Sequence, residues 1–314
     1  MIVYSIPMRT RFRGITEREG VIFEWAGRWR EWSPFIEYDD VEAATWLKAA
    51  LSDDEPEFNR EKVPINVTVP VVSPGEAADL VRESRASTAK IKVADPRSDL
   101  SSDVKRLEAV RNALPDGNIR IDANGAWSLA EAMKALRAFA PFNLQYVEQP
   151  CASVTELAQL RKEIADCGLN ILVAADESIR RAQDPYRVKE LNAADIVVCK
   201  VQPLGGVSRL LEVAEKIGRP VVVSSALETS IGIAAGLRAA CALPELELAC
   251  GLDTVRLLDG DLTDNPVVSK DGFLRFAGWP TPDERQCAKY AASRQRSAWW
   301  QARFDRCLEL VSNE

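Results

Sequence analysis

Five charged residues recur at nearly even intervals through the middle of this 314-residue chain: Lys92, Asp122, Glu148, Asp176 and Lys200. By subtraction they stand 30, 26, 28 and 24 residues apart, one strand-plus-helix repeat each time. Each closes a short β-rich run, which places it at the C-terminal end of a predicted strand. In a closed barrel of parallel strands these ends converge on the face that carries active sites. A lone acid after a strand is ordinarily a helix cap or half of a surface ion pair. Three acids in step between two lysines point to a site instead. Three carboxylates held together repel one another strongly unless a cation neutralises them. The chain has no histidine, so a bound metal meets oxygen donors, which suits Mg²⁺, with Mn²⁺ as a substitute. Asp122, Glu148 and Asp176 are the expected ligands, and Asn124 is an expected supporting contact.

The lysines give the second half of the chemistry. Lys90 and Lys92 lie two apart on one strand, so both side chains share a face. Two ammonium groups inside a barrel are costly. Like-charge proximity, desolvation and a nearby metal are each expected to lower a lysine's pKa towards that of a usable base. Lys200, four strands on, faces the same space from the opposite side. One lysine can take a proton while the other supports developing charge. The missing histidine also removes Ser–His and Cys–His nucleophiles and imidazole zinc sites. The remaining set suits removal of a proton beside a carboxylate, where a metal stabilises the dianionic enediolate as it forms. A metal-independent Schiff-base aldolase using Lys92 or Lys200 is a rival, but it leaves the three acids without a purpose. A non-catalytic barrel is a weaker one.

The elements that must position these residues begin near Val63. Strands are expected at 65–69, 89–93, 119–122, 145–148, 171–175, 196–200, 221–224 and 246–250, and the apolar runs at Ile171 and Ile196 suit strands buried on both faces. Between them run amphipathic segments: Leu80–Val81 after Pro74-Gly75, then Val104, Leu107 and Val110, and a helix with Leu210, Val213 and Ile217 after Gly205-Gly206. Ser128 with Glu131 and Ser153 with Glu156 read as capping boxes opening two more. Eight such repeats make an α/β protein with a (β/α)-barrel of TIM type. The alternative, an open doubly wound sheet, normally carries a Gly-rich phosphate turn after its first strand, and none is present. Residues 1–62 read as a small α+β capping domain, with strands around Tyr4–Pro7 and Val21–Glu24 and a helix over 37–51. Residues 63–282 are the barrel. Residues 283–314, with Trp299–Trp300, read as a helical tail packing on the body.

Composition narrows the partners. A net charge of -7 argues against nucleic acid, though a bound cation leaves room for an anionic substrate. No apolar run approaches the roughly 20 residues of a membrane span, and the first 13 residues lack a signal peptide's apolar core. Seven cysteines without a CxxC pair suggest reduced, mostly buried thiols in a cytoplasmic protein. The oligomeric state is left open.

The runs Lys90-Ile-Lys92, Asp122-Ala-Asn124, Val147-Glu148-Gln149-Pro150, Ala175-Asp176-Glu177-Ser178 and Lys200-Val-Gln-Pro-Leu-Gly-Gly206 resemble, in order, the motifs of the enolase superfamily. The likeness is to its paired-lysine, muconate-lactonizing-like branch and covers nearly the whole chain. Within that branch the chain is most similar to the o-succinylbenzoate synthase family of menaquinone biosynthesis. Supporting runs are Arg9–Gly14, Trp32–Tyr38, Ser224–Ser230 and Gly251–Thr254. The resemblance implies a Mg²⁺-dependent hydro-lyase that removes water from a small succinyl-cyclohexadiene carboxylate by syn elimination. Lys92 would take the α-proton and return it to the departing hydroxide, while Lys200 steadies the enediolate, by a cation–π contact with the ring. Ser224, Ser225, Gly251, Leu252 and Asp253 become candidates for the succinyl carboxylate, and Lys90 and Arg120 candidates to order the lysines or acids. The same lysine arrangement serves N-acylamino acid racemases and dipeptide epimerases. The N-terminal part is short for the family, so the substrate-capping loop from Thr10 to Glu19 is expected to close incompletely.

Overall fold

The computed structural model describes residues 1–181 and 184–313. The chain opens with three antiparallel strands, β1 (Ile2–Phe12), β2 (Ile15–Trp25) and β3 (Arg28–Trp32), in the order β1-β2-β3. Val3 stands opposite Val21, and Val21 opposite Trp32, so one apolar row runs across the sheet. Helix α1 (Asp40–Leu51) follows, its N-terminus capped by Asp39, and lays Ala43, Trp46 and Leu47 on that row. This matches the expected capping unit.

The next elements alternate. In chain order they are β4 (Lys62–Pro64), β5 (Val67–Val69), α2 (Pro74–Ser84), β6 (Thr88–Lys92), α3 (Leu100–Ala113), β7 (Asn118–Asp122), α4 (Leu129–Phe139), β8 (Leu144–Glu148) and α5 (Val154–Asp166). Then come β9 (Leu172–Ala175), the short α6 (Glu177–Arg180) and α7 (Arg187–Glu190), β10 (Ile196–Cys199), α8 (Val201–Leu204), α9 (Val207–Ile217), β11 (Val221–Val223) and α10 (Ser230–Ala242). Both predicted capping boxes form, and Ser73 with Glu76 makes a third that opens α2. Strands β5 to β11 build one curled parallel sheet whose spatial order follows the chain, with the main apolar core between it and the helices. The (β/α)-barrel expectation is borne out in this form.

One expected strand is not a strand. Residues 246–250 meet the sheet only at their end, through bridges Ile65–Cys250 and Ser224–Gly251. The Cys250 amide donates to Pro64 O at 2.7 Å and the Gly251 amide to Val223 O at 2.9 Å, so this one point joins the sheet's two edges. Glycine is required there, because a Cβ on residue 251 would stand 2.5 Å from Ser224 Oγ. No crossover helix follows, only a 3₁₀ turn over Thr254–Leu257.

After β12 (Phe273–Arg275), which pairs with β4, come α11 (Glu284–Lys289) and α12 (Arg294–Ser312). Helix α12 packs on the cap rather than on the barrel. Trp300 stacks edge-on against Trp32 at 5.4 Å and donates to Glu19 at 2.9 Å, and Arg303 donates to the carbonyls of Phe35 and Tyr38. All seven cysteines are free thiols, six of them buried. No helix among the described residues is long and apolar enough to cross a membrane.

Candidate active site

Parallel register sets the strand ends in one row. Lys92 stands beside Asp122 and Asp122 beside Glu148, while Asp176 lies two residues beyond Ala174, the neighbour of Glu148. Lys90 pairs one step lower with Arg120. Lys92, Asp122 and Glu148 are thus level, Asp176 and Lys200 follow further along their strands, and the three acids are almost entirely buried.

Ion pairs knit them together. Lys90 Nζ donates to both Glu148 oxygens at 2.8 and 2.9 Å and lies 3.4 Å from Asp122 Oδ2. Lys92 Nζ donates to Asp122 and, at 2.8 Å, to Asn124 Oδ1. Lys200 Nζ donates to Asp176 Oδ2 at 2.7 Å. The other Asp176 oxygen accepts from Arg180 Nε at 3.1 Å, and Arg180 also holds Glu177 at 2.5 Å. Four acids thus face four cations. Gln149, from the Glu-Gln-Pro run, fixes the backbone beneath Asp176: its Oε1 accepts from the amides of Asp176 and Ser178.

Burial raises every carboxylate here, and the neighbours decide the outcome. Asp122 ends well below the usual carboxylate range because Lys92 and Lys90 outweigh its desolvation. Asp176 is lowered in the same way by Lys200 and Arg180. Glu148, between the other two acids, is pushed up to about 7 by burial and by the charge of Asp122, with Lys90 opposing. Lys90 departs from the expected lowering. Desolvation alone would lower it, but Glu148 and Asp122 more than offset that and raise it.

The all-oxygen donor set fits a hard divalent cation. Among the described residues, however, no three acid, Cys or His side chains are gathered closely enough to enclose one in this conformation; the carboxylates turn to ammonium groups instead.

A cavity opens above the row, lined by Lys90, Lys92, Asp122, Asn124 and Lys200 from the barrel and by Phe12, Arg13 and Phe35 from the cap. The capping loop therefore reaches the site, despite the shortness that argued for incomplete closure. Ser224, Ser225 and Thr254 complete one wall, Ser225 and Thr254 joined through their hydroxyls at 2.5 Å. The structure does not bring the rest of the expected carboxylate contacts there. Gly251 uses its amide and carbonyl in closing the sheet, Leu252 is buried in the barrel–helix core, and Asp253 accepts from the amide and hydroxyl of Ser269 and from Arg256. Arg120 points inward as expected, but among the described residues its side chain makes no hydrogen bond or ion pair with the lysines or acids. It lies one layer down, bonded to Gln145 Oε1 and Ala249 O, with Tyr146 4.7 Å away.

Reading the sequence missed Arg180 and gave no role to Glu177 and Tyr38, which lie in the quoted runs. The Tyr38 hydroxyl accepts from Arg13 at 2.7 Å and from Arg180 at 2.8 Å, linking cap to acid row. The spacing of Arg180, one helical turn after Asp176, was the available signal. A neighbouring cleft brings Arg11, Arg13, Arg97, Arg180 and Arg181 around Lys92, an electropositive approach for an anion.

Residues 74–282 match the enolase C-terminal domain-like family and residues 3–53 the enolase N-terminal domain-like family. Among solved structures, the N-succinyl Arg/Lys racemase from Bacillus cereus superposes with a TM-score of 0.77 at 19% identity, over 93% of this chain and 96% of that one. Muconate lactonizing enzyme from Pseudomonas putida gives 0.74 at 18%, over 93% and 98%. The protein is thus an enolase-superfamily barrel with its N-terminal cap. Curated o-succinylbenzoate synthases are much nearer in sequence: that of Thermobifida fusca is 50% identical over 96% of this chain and 93% of its own length. That of Mycobacterium tuberculosis is 46% identical over 99% and 94%. The chain belongs to the o-succinylbenzoate synthase family.

Proposed function

We infer that the protein catalyses the Mg²⁺-dependent syn-dehydration of 2-succinyl-6-hydroxy-2,4-cyclohexadiene-1-carboxylate to 2-succinylbenzoate, a step of menaquinone biosynthesis. The observation that carries the mechanism is the bracketing of one cavity by Lys92 and Lys200, from strands on opposite sides of the barrel. Lys92 takes the proton from C1, beside the carboxylate. The C1–H electrons then form the new ring double bond as the C6–O bond breaks, and the same lysine returns its proton to the departing hydroxide as water. Lys200 faces the enediolate and contributes positive charge without exchanging a proton. Asp122, Glu148 and Asp176 would hold a divalent ion, which would supply Lewis-acid stabilisation of the carboxylate's developing charge. Asp122 and Asn124 hold the Lys92 Nζ at the cavity, and Lys90 keeps Glu148 paired.

The free cysteines support a reducing, cytoplasmic location. Direct assay of the purified protein with the cyclohexadiene substrate tests the reading. Aromatic product should form with Mg²⁺ or Mn²⁺ and stop in excess EDTA. Full turnover in EDTA refutes the metal role, and no turnover with any divalent ion refutes the reaction. The racemase alternative shares the lysines. It predicts that an N-acylamino acid is inverted with solvent deuterium at its α-carbon, whereas Lys92 acting as the lone base gives exchange with retention only.

A further inference from the structure

The turn after β11 forms the cavity wall on the Lys200 side, through Ser224, Ser225, Ala226 and Leu227. Leu227 has φ +65°, a left-handed conformation that a residue with a bulky side chain keeps only where its surroundings over-determine it. The over-determination comes from the cap. Arg18, on β2, is 2% exposed and donates from Nε to Leu227 O at 3.0 Å and from Nη2 to Ala226 O at 3.1 Å and to Ser33 O. Nη1 holds Glu19 O at 3.0 Å. Among the described residues every hydrogen bond of this buried cation goes to a backbone carbonyl. Its guanidinium also lies 4.7 Å from the ring of Phe35, on the cavity's cap side.

Two further cap contacts close the unit. Glu31 accepts from the amides of Thr229 and Gly232 at the start of α10. Ser33 N donates to Gln202 at 3.2 Å, and Gln202 in turn reaches Glu228 at 3.3 Å. Gln202 lies two residues after Lys200. The cap, the strained turn and the loop carrying Lys200 are therefore one hydrogen-bonded block, with Arg18 at its centre.

Taking the dehydration reading above for the substrate, we propose that Arg18 is a positioning residue that holds the 224–229 turn against the cavity and sets its selectivity for the substrate's acyl chain. A lysine cannot replace it, because one ammonium on a flexible stem does not present a planar fork to four carbonyls at once. Without the fork, the turn relaxes from its left-handed conformation and the wall behind Lys200 loosens. Lys92 and Asp122 stand on β6 and β7, away from the turn, so proton abstraction is spared.

The test uses the full chain as Arg18→Lys and Arg18→Met. Amide hydrogen exchange over 225–229 should accelerate by about tenfold or more while β6 to β8 keep their protection. KM for the succinyl substrate should rise by about tenfold, with kcat within about threefold of wild type. Preference for the succinyl substrate over its glutaryl homologue, one methylene longer, should shrink by about threefold or more. A folded Arg18→Lys protein with wild-type exchange and wild-type KM overturns the proposal. So does a fall in kcat that matches the change in KM, or loss of global protection in both variants, which would make Arg18 a support of the whole fold. If the wild-type protein does not dehydrate the substrate, the functional reading has failed. Exchange over 225–229 then decides the positioning role alone.

Discussion

Glu228 carries a measurable pH dependence. Its side chain is 4% exposed and accepts from the Ala226 amide at 2.6 Å and from Gln202 at 3.3 Å. Burial, then the charge of nearby Glu31, pushes it from its ordinary 4.5 up to about 7, with Arg18 opposing. Each tenfold change in a proton equilibrium is worth about 1.4 kcal/mol. Keeping the group ionised in the folded protein at alkaline pH therefore costs about 3 kcal/mol. Between pH 4.5 and about 7 the folded chain binds the proton more tightly than the unfolded one, so stability must fall as pH rises through this window. Below it both states are protonated and the cost vanishes; above it both are ionised and the cost is complete. Glu228→Gln keeps the shape and removes the charge. Urea unfolding of both proteins at pH 5.5, 7 and 8.5 should show the variant gaining on wild type by about 2 kcal/mol from the lowest pH to the highest. The raised value of Glu148 acts on both proteins alike and cancels in the difference, while Glu31 loses a like charge beside it in the variant and adds to the variant's gain at high pH. Parallel stability profiles across that range would refute the reasoning, since they would mean that Glu228 is ionised equally easily in both states.

Lys92→Ala should stay folded by circular dichroism and lose turnover by about two to four orders of magnitude; near-normal turnover would remove Lys92 as the base. Lys90→Met leaves Glu148 without its bidentate partner, with both groups inside the barrel. Breaking such a buried pair costs about 3–5 kcal/mol, so in chelator the melting temperature should drop by many degrees; an unchanged melt would show that Glu148 does not need Lys90. Titration calorimetry with Mg²⁺ should show binding by wild type and a sharp loss in Asp122→Asn and Asp176→Asn. Undiminished binding in both would assign the ion elsewhere. Trp300→Ala deletes a fully buried ring from the cap core and should cost about 3–5 kcal/mol; a near-neutral result would make α12 dispensable to the cap.

The sequence held the site because parallel strands and their helices repeat at a near-constant length. A regular spacing of charged residues thus becomes a row of neighbours, with Lys92, Asp122 and Glu148 in direct register. Face and order follow from such spacing; depth and direction do not. The rule of two put Arg120 inside the barrel beneath Asp122, but its bonds to Gln145 and Ala249 belong to a lower layer that no local pattern marks. Residues 246–250 satisfy a strand pattern, yet pairing depends on where the sheet's two edges meet, and they meet only at Cys250 and Gly251. Asp253 followed a predicted strand end as Asp122 did, but Ser269, 16 residues later, draws its carboxylate away. The direction of Lys90's pKa reversed for the same reason. Next to Lys92, desolvation and like charge dominate; with Glu148, 58 residues on, folded against it, attraction wins. Arg18 is the extreme case, holding a carbonyl 209 residues away. What escaped the sequence are contacts between segments far apart in the chain, and the substrate-facing wall is built almost wholly from them. The wall at Ala226 and Leu227 is tied to the cap through Arg18, and the acid row, though built on the barrel, is reached from the cap through Tyr38 and Arg180.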